Sequence, residues 1–248
     1  MSTFDKKKDD QIRDAGTRLP PIKDAATLVL VRRERGVPHV LMGQRSGGTR
    51  FMPNKFVFPG GRVDPGDHRI APLTDLNPET RDKVMVDPRG ARVVSENKAK
   101  AIALAALRET FEETGLVLGE KTAARPRTRS PGWQRYFETG VAPTLDQLVL
   151  VARAITPPYR PKRYDARFFM ADAELIAADA HDMFAGSGEL LELHWVPIDE
   201  ATKLDLPNIT RAVLARIGER AADGKPFKPA IDAPFFHFVR GKPQLIHV

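Results

Sequence analysis

The 248-residue sequence predicts one domain of the α/β (α+β) class, with a mixed sheet packed between helices. Short runs rich in Val, Ile, Leu and Phe alternate with segments of helical periodicity. A hydrophobic content of 42% suffices for a substantial core. No low-complexity linker divides the chain. Residues 1–23 are polar, mixed in charge and end in Leu19-Pro20-Pro21, so they read as a flexible arm before a domain spanning 24–248. The chain has no run of 18 apolar residues and no apolar signal region at its start, so the expectation is a soluble, cytoplasmic protein with no membrane partner. The absence of cysteine excludes disulfides, thiolate metal sites and a cysteine nucleophile.

In chain order, Ala25 to Arg33 and His39 to Arg45 read as paired strands across a turn near Arg35-Gly36. Phe56-Val57-Phe58 is a short apolar strand running into Pro59-Gly60-Gly61, and Pro65-Gly66 is a second turn that delivers Asp67. Asn77-Pro78-Glu79-Thr80 opens a short helix, and Asp87-Pro88-Arg89-Gly90 reads as a turn. Ser95 caps a long helix of strong helix formers that Gly115 ends. Leu116 to Gly119 is a strand, Trp133 to Glu138 a helix, and Leu148 to Ile155 a strand stopped by Thr156-Pro157-Pro158. Arg167 to Met170 and Leu190 to Ile198 are further strands. Asn208 to Ala222 is a helix with Ile209, Val213, Leu214 and Ile217 on one side.

The helix before Gly115 carries the chemistry. At 100° per residue, Glu109, Glu112 and Glu113 share one sector, while Leu104, Leu107 and Phe111 point the other way. Three carboxylates so close repel one another, and a hard divalent cation reverses the sign of that interaction. Arg108, one turn before Glu112, can hold that carboxylate in place. The competing reading is a solvated acidic patch.

What precedes the helix decides between them. Gly61, Asp67, Arg108, Glu109, Glu112, Glu113, Gly115 and Leu116 together resemble the Nudix hydrolase signature, G-x5-E-x7-R-E-U-x-E-E-x-G-U, where U is bulky and apolar. Asp67 stands where the family usually has Glu, and Thr110 where it has an apolar residue. Residues 68 to 107, 40 in all, separate Asp67 from Arg108 where the family has seven. The excess, placed at 68–100, reads as an ordered insertion, since closure entropy grows only logarithmically with loop length. Such a divided signature resembles a subgroup of the family, the peroxisomal coenzyme A diphosphatases of mammals. Arg45, Ser46, Arg50 and Phe58 to Gly61 partly fit the pattern of coenzyme A-cleaving members, although the arginines are one residue closer and Asn54 replaces a glycine. The final Leu245-Ile246-His247-Val248 is no peroxisomal address.

The resemblance implies an α/β/α sandwich and metal-dependent hydrolysis of a pyrophosphate linkage in a nucleoside diphosphate derivative, preferably coenzyme A or an acyl form. The cofactor would be Mg²⁺ or Mn²⁺. Glu109 and Glu113 would be its principal ligands, Glu112 would share or bridge, and a carbonyl of Gly60 or Gly61 would add another. Arg108 would orient a carboxylate. Arg45, Arg50, Gly60 and Gly61 would bind substrate, and Glu189 or Glu192, near Gly186-Ser187-Gly188, would supply the general base. Hydrolysis of ADP-ribose, NADH or another dinucleotide is the alternative, as is a sensor that binds a nucleotide without turnover.

The formal charge of +7 concentrates at Lys121, Arg125, Arg127, Arg129 and Arg135, and again at Arg160, Lys162, Arg163 and Arg167. Clustered cations attract a small polyanionic substrate. They lack regular aromatic interleaving, so nucleic acid is not the expected partner. A solvated basic surface is the plainer reading of both clusters. The six histidines show no ligand spacing. A homodimer is compatible with the sequence.

Overall fold

The computed structural model describes residues 12, 16, 18–47, 54–87, 94–124, 126–180, 190–222, 227–228 and 232–248. The elements are, in order, β1 (Ile22–Glu34), β2 (Val37–Arg45), β3 (Phe56–Val57), β4 (Gly60–Arg62), α1 (Pro78–Met85), α2 (Glu96–Thr114), β5 (Leu116–Leu118), β6 (Glu120–Lys121), α3 (Pro131–Glu138), β7 (Val141–Ala142), β8 (Val149–Ile155), β9 (Arg163–Asp172), β10 (Ile176–Asp179), β11 (Leu190–Pro197), α4 (Ile198–Ala201), α5 (Asn208–Ala222), β12 (Pro234–Val239) and β13 (Lys242–His247).

A nine-stranded sheet runs β11-β2-β1-β9-β8-β12-β13, with β3 beside β2 and β4 beside β1. It is mixed: β1 pairs β9, and β8 pairs β12, in parallel, while the other neighbours are antiparallel. Both faces are covered. Along β1, Ala26, Leu28 and Leu30 pack with α2 and α3 on one side. Val29 and Val31 pack with α4 and α5 on the other, where Val213, Leu214 and Ile217 of α5 are fully buried. This period of two is what a strand between two helical layers requires. The arrangement is the expected α/β/α sandwich.

Helix α2 is the central element. Ser95 accepts a hydrogen bond from Lys98 N, and Gly115, at φ 77°, donates its N–H to Phe111 O. That left-handed residue ends the helix at little cost only because it is glycine. Thirteen of its nineteen residues are buried, so α2 is far from a surface helix with one wet face. Leu104 and Leu107 are wholly enclosed, each contributing about 2 kcal/mol by burial. Thr110 sits in this core because its hydroxyl donates to Ala106 O (2.8 Å), so the polar atom is satisfied within the helix itself.

The structure corrects several sequence expectations. Strand β1 starts at Ile22, inside the segment read as an arm. Strand β9 spans ten residues instead of the four around Phe168, since its partners on both sides extend the ladder. Gly60-Gly61, read as a turn, form β4 and pair with Ala26 and Thr27. Strands β6, β7, β10, β12 and β13 and helix α4 were not expected.

The segment 68–100, expected to be an insertion, is built into the fold. Asn77 accepts from Thr80 N (2.9 Å), and its amide donates to the carbonyls of Asp146 (2.8 Å) and Leu148 (3.0 Å). Val84 of α1 is fully buried in the core that α2 organises. The turn expected at 87–90 lies, apart from Asp87, outside the described residues. Among the described residues no helix is long and apolar enough to cross a membrane.

Candidate active site

The last two turns of α2 meet the strand β4 and the 3-10 turn Asp67–Arg69. Arg108 is the hub. Its Nε and Nη2 donate to the two oxygens of Asp67 (2.8 and 3.0 Å), and its Nη1 donates to Glu109 (2.9 Å) and Glu112 (2.8 Å). Nη2 also reaches the carbonyl of Arg62 (3.0 Å). Burial by itself would lower the Arg108 pKa, but the hydrogen bonds it donates to Asp67 and the charges of Glu109, Asp67 and Glu112 raise it. The cation is locked on.

Asp67 is 1% exposed and accepts two further bonds, from Trp133 Nε1 (2.7 Å) and Asp64 N (2.8 Å). With four donors it is a fully satisfied anchor whose function is to fix Arg108 by a two-pronged ion pair. Removing one member of such a buried pair strands the other charge. Trp133 went unnoticed as a partner in the sequence. It comes from α3, which stacks Trp133 and Tyr136 (ring centroids 4.9 Å apart) against α2.

Each of the three glutamates has a different setting. The Glu109 side chain is 16% exposed, and burial pushes its pKa up to about 7, with Arg108 pulling the other way. Its carboxylate lies against Gly61 so closely that a Cβ there would overlap it. Glu113 accepts Gly60 N (2.9 Å). Glu112 leans toward α3, against the backbone of Gly132, with Arg135 at 3.7 Å. Only glycine at 61 and 132 leaves room for these carboxylates. A glycine in the first turn of a helix, straight after Pro131, was the sequence signal for that second contact.

Among the described residues, no three acidic or imidazole side chains converge into a closed metal cage. The chemistry of the donors nevertheless fits a hard cation. Mg²⁺ keeps several waters and takes only one or two protein carboxylates along with substrate phosphates. A buried carboxylate whose charge Arg108 only partly offsets, beside a second one on the same helix face, offers that set.

Glu109, Gly60, Gly61 and Arg62 open onto a cavity of about 570 Å³ on the α5 side of the sheet. Its wall includes four cations, Arg45, Arg62, Arg160 and Lys162, and one acid, Glu109. Phe58, Tyr164, Phe168, Phe236 and Phe238 supply aromatic surface, and the start of α5 closes one side. Arg160 is 2% exposed although it lines this space.

Several residues singled out from the sequence lie elsewhere. Glu192 sits at a bulge of β11, at φ 50°, with its side chain 71% exposed and His194 at 3.9 Å; it does not line the cavity. The bulge turns it outward. Arg50, Glu189, Arg125 and the Gly186-Ser187-Gly188 segment lie outside the described residues. Of the first basic cluster, Lys121, Arg127, Arg129 and Arg135 are exposed and none lines the cavity. In the second, Arg167 is consumed by Asp24 (2.8 Å) and Asp165, and Arg163 donates to Thr156 O (3.2 Å). Only Arg160 and Lys162 of that cluster face the cavity.

No family model matches the chain. The crystal structure of a NUDIX hydrolase from Alicyclobacillus acidocaldarius superposes with a TM-score of 0.61 at 24% identity, covering 84% of this chain and 99% of that one. The chain has the Nudix fold. A Caenorhabditis elegans protein named "Putative nudix hydrolase 7" is 25% identical over 194 residues, which is 72% of this chain and 54% of that protein. The chain thus spans about half the length of the curated relative it matches. Relative and fold together support the Nudix hydrolase superfamily. The 40 residues between Asp67 and Arg108 leave the two in contact, joined by their ion pair.

Proposed function

We propose that this chain is a divalent-metal-dependent hydrolase of the phosphoanhydride linkage in nucleoside diphosphate derivatives, with coenzyme A or acyl-coenzyme A preferred. The observation that carries this reading is the Arg108 hub, which fixes Glu109 at the mouth of a cavity rich in cations and holds Glu112 on the same helix. A solvated acidic patch would need no buried arginine, no Asp67 anchor and no glycines pressed under its carboxylates.

Glu109 and Glu113 would hold Mg²⁺ or Mn²⁺, with Glu112 sharing and a carbonyl of Gly60 or Gly61 adding a ligand. Such an ion, when bound, supplies an activated water and a counter-charge for phosphoryl oxygens. Arg108 sets the rotamers of two carboxylates, a task requiring its own immobility, which Asp67 provides. Arg62 and Arg45 stand at the cavity wall, where they neutralise the phosphates of a bound substrate. The aromatic wall excludes water from the organic part of the molecule and offers faces for stacking.

The preference for coenzyme A rests on the divided signature and on Arg45, which among the described residues is the one outside Phe58 to Gly61 that both belongs to the coenzyme A pattern and lines the cavity. The alternative substrates are ADP-ribose, NADH and dinucleotides; a non-catalytic nucleotide-binding sensor is the second reading. Purified protein with Mg²⁺ is to be assayed against coenzyme A, ADP-ribose, NADH and a dinucleotide. Turnover highest on coenzyme A is expected. Turnover of another member alone overturns the preference, and tight binding with no turnover overturns the hydrolase.

A further inference from the structure

We infer that Arg160 and Lys162 form a second anion subsite, which reads a phosphate on the nucleoside itself, distinct from the anhydride that is cut. This rests on the hydrolase reading for its orientation, because the Glu109 end is taken as the place of the reacting linkage.

The register of the sheet gives the layout. Arg62 pairs with Ala25, Ala25 with Ala166, Ala166 with Ala154, and Ala154 with Phe236. All five residues line the cavity. Its floor is therefore a lane three alanines wide, running from the catalytic mouth to an aromatic end. Adjacent strands are about 4.8 Å apart, so the alanines cover roughly 10 Å between the outer two. Methyl groups at this level leave depth for a flat ring, and Phe168 and Tyr164, two residues to either side of Ala166 on β9, rise as flanks.

Charge lies at both ends of one flank. Gly61 pairs with Ala26, which pairs with Arg167, and Tyr164 lies three residues back along β9, about 10 Å down the strand. Arg160 and Lys162 occupy the turn just before that strand and line the same cavity. The turn that carries these two cations lies beyond Tyr164, so its backbone is more than about 10 Å from the reacting end, and its charges serve a different phosphate. Among the described residues lining the cavity, Glu109 is the one acid. A nucleoside bridging the two ends would lay its base and sugar on the alanine lane and present a sugar phosphate to the turn. The substrate class is then a nucleoside diphosphate derivative with an additional ribose phosphate.

The test is direct binding, which does not need turnover. Titration calorimetry of metal-free protein is to compare adenosine 3′,5′-bisphosphate with AMP and with ADP, the last having two phosphates but none on the 3′ position. The bisphosphate is expected to bind at least tenfold tighter than either. In R160A/K162A that advantage should vanish while AMP affinity stays the same. Equal affinities in the unaltered protein, or equal losses for all three ligands, would overturn the subsite. Arg160 is buried, so if the double variant is unfolded by circular dichroism, K162A and R160K decide: each should lose at least threefold on the bisphosphate alone, and no loss in either overturns the proposal. Binding selectivity without any turnover supports the subsite and sinks the hydrolase, which keeps the two failures separate.

Discussion

Burial of Glu109 makes a measurable demand on the metal-free protein. Its carboxyl, ordinarily at 4.5, is pushed up to about 7, chiefly by desolvation. A displacement of that size corresponds to about 3 kcal/mol between the two charge states. The sign follows from linkage. A group whose folded pKa is raised favours the native state while it is protonated, so the contribution is complete below pH 4.5 and is lost as pH rises through 7. Without metal, then, stability attributable to this one residue falls across that window by about 3 kcal/mol. Glu109→Gln cannot ionise, and Arg108 keeps Asp67 and Glu112 as partners. Urea unfolding in the presence of a chelator, at pH 5 and pH 8, measures the effect. Between those two conditions the variant should gain on the parent chain by up to about 3 kcal/mol, and saturating Mg²⁺ at pH 8 should restore the parent but not the variant. Identical pH dependence in the two proteins would show that Glu109 is not a carboxylate starved of counter-charge.

Two other perturbations follow from the packing. Asp67→Ala leaves a buried guanidinium and the Trp133 N–H without their acceptor, and should cost about 3–5 kcal/mol in urea unfolding; a loss below 1 kcal/mol would show that Arg108 is anchored otherwise. Gly61→Ala places a methyl group where the Glu109 carboxylate lies, and should cut turnover about 100-fold by displacing it, with unfolding changed far less. Unchanged kinetics in that variant would mean that the Glu109 position seen here is not the working one.

The sequence made the three-layer fold and the acidic helix legible because both follow from local rules. Alternation set β1 on two cores, Ser95 and Gly115 bounded α2, and spacings of three and four gathered the glutamates. The missing pieces depend on contacts between distant segments. Nothing local to Asp67 reveals that Trp133 will donate to it, 66 residues on, or that its shorter side chain suffices because Arg108 comes to it. Glu192 read as a candidate base because a bulge, which turns its side chain outward, leaves no mark in alternation. The basic clusters were visible as composition, yet only pairing with Asp24 and Asp165 removed Arg167 and left Arg160 and Lys162 facing the cavity. The alanine lane is a property of register across four strands, and no single strand shows it.

The role proposed for the carboxylates of α2 in metal-dependent hydrolysis is best probed by Glu113→Gln, because an amide oxygen can still accept a hydrogen bond from Gly60 N and so keep β4 in place while the charge is removed. Initial rates on coenzyme A and ADP-ribose, measured against Mg²⁺ concentration with the thermal midpoint as a check on folding, are the measurement. The expected result is an unchanged fold and turnover reduced by about a hundredfold or more at every Mg²⁺ level, the usual cost of losing a charge that acts on the transition state. Full activity in this variant would rule out a catalytic role for the Glu113 carboxylate.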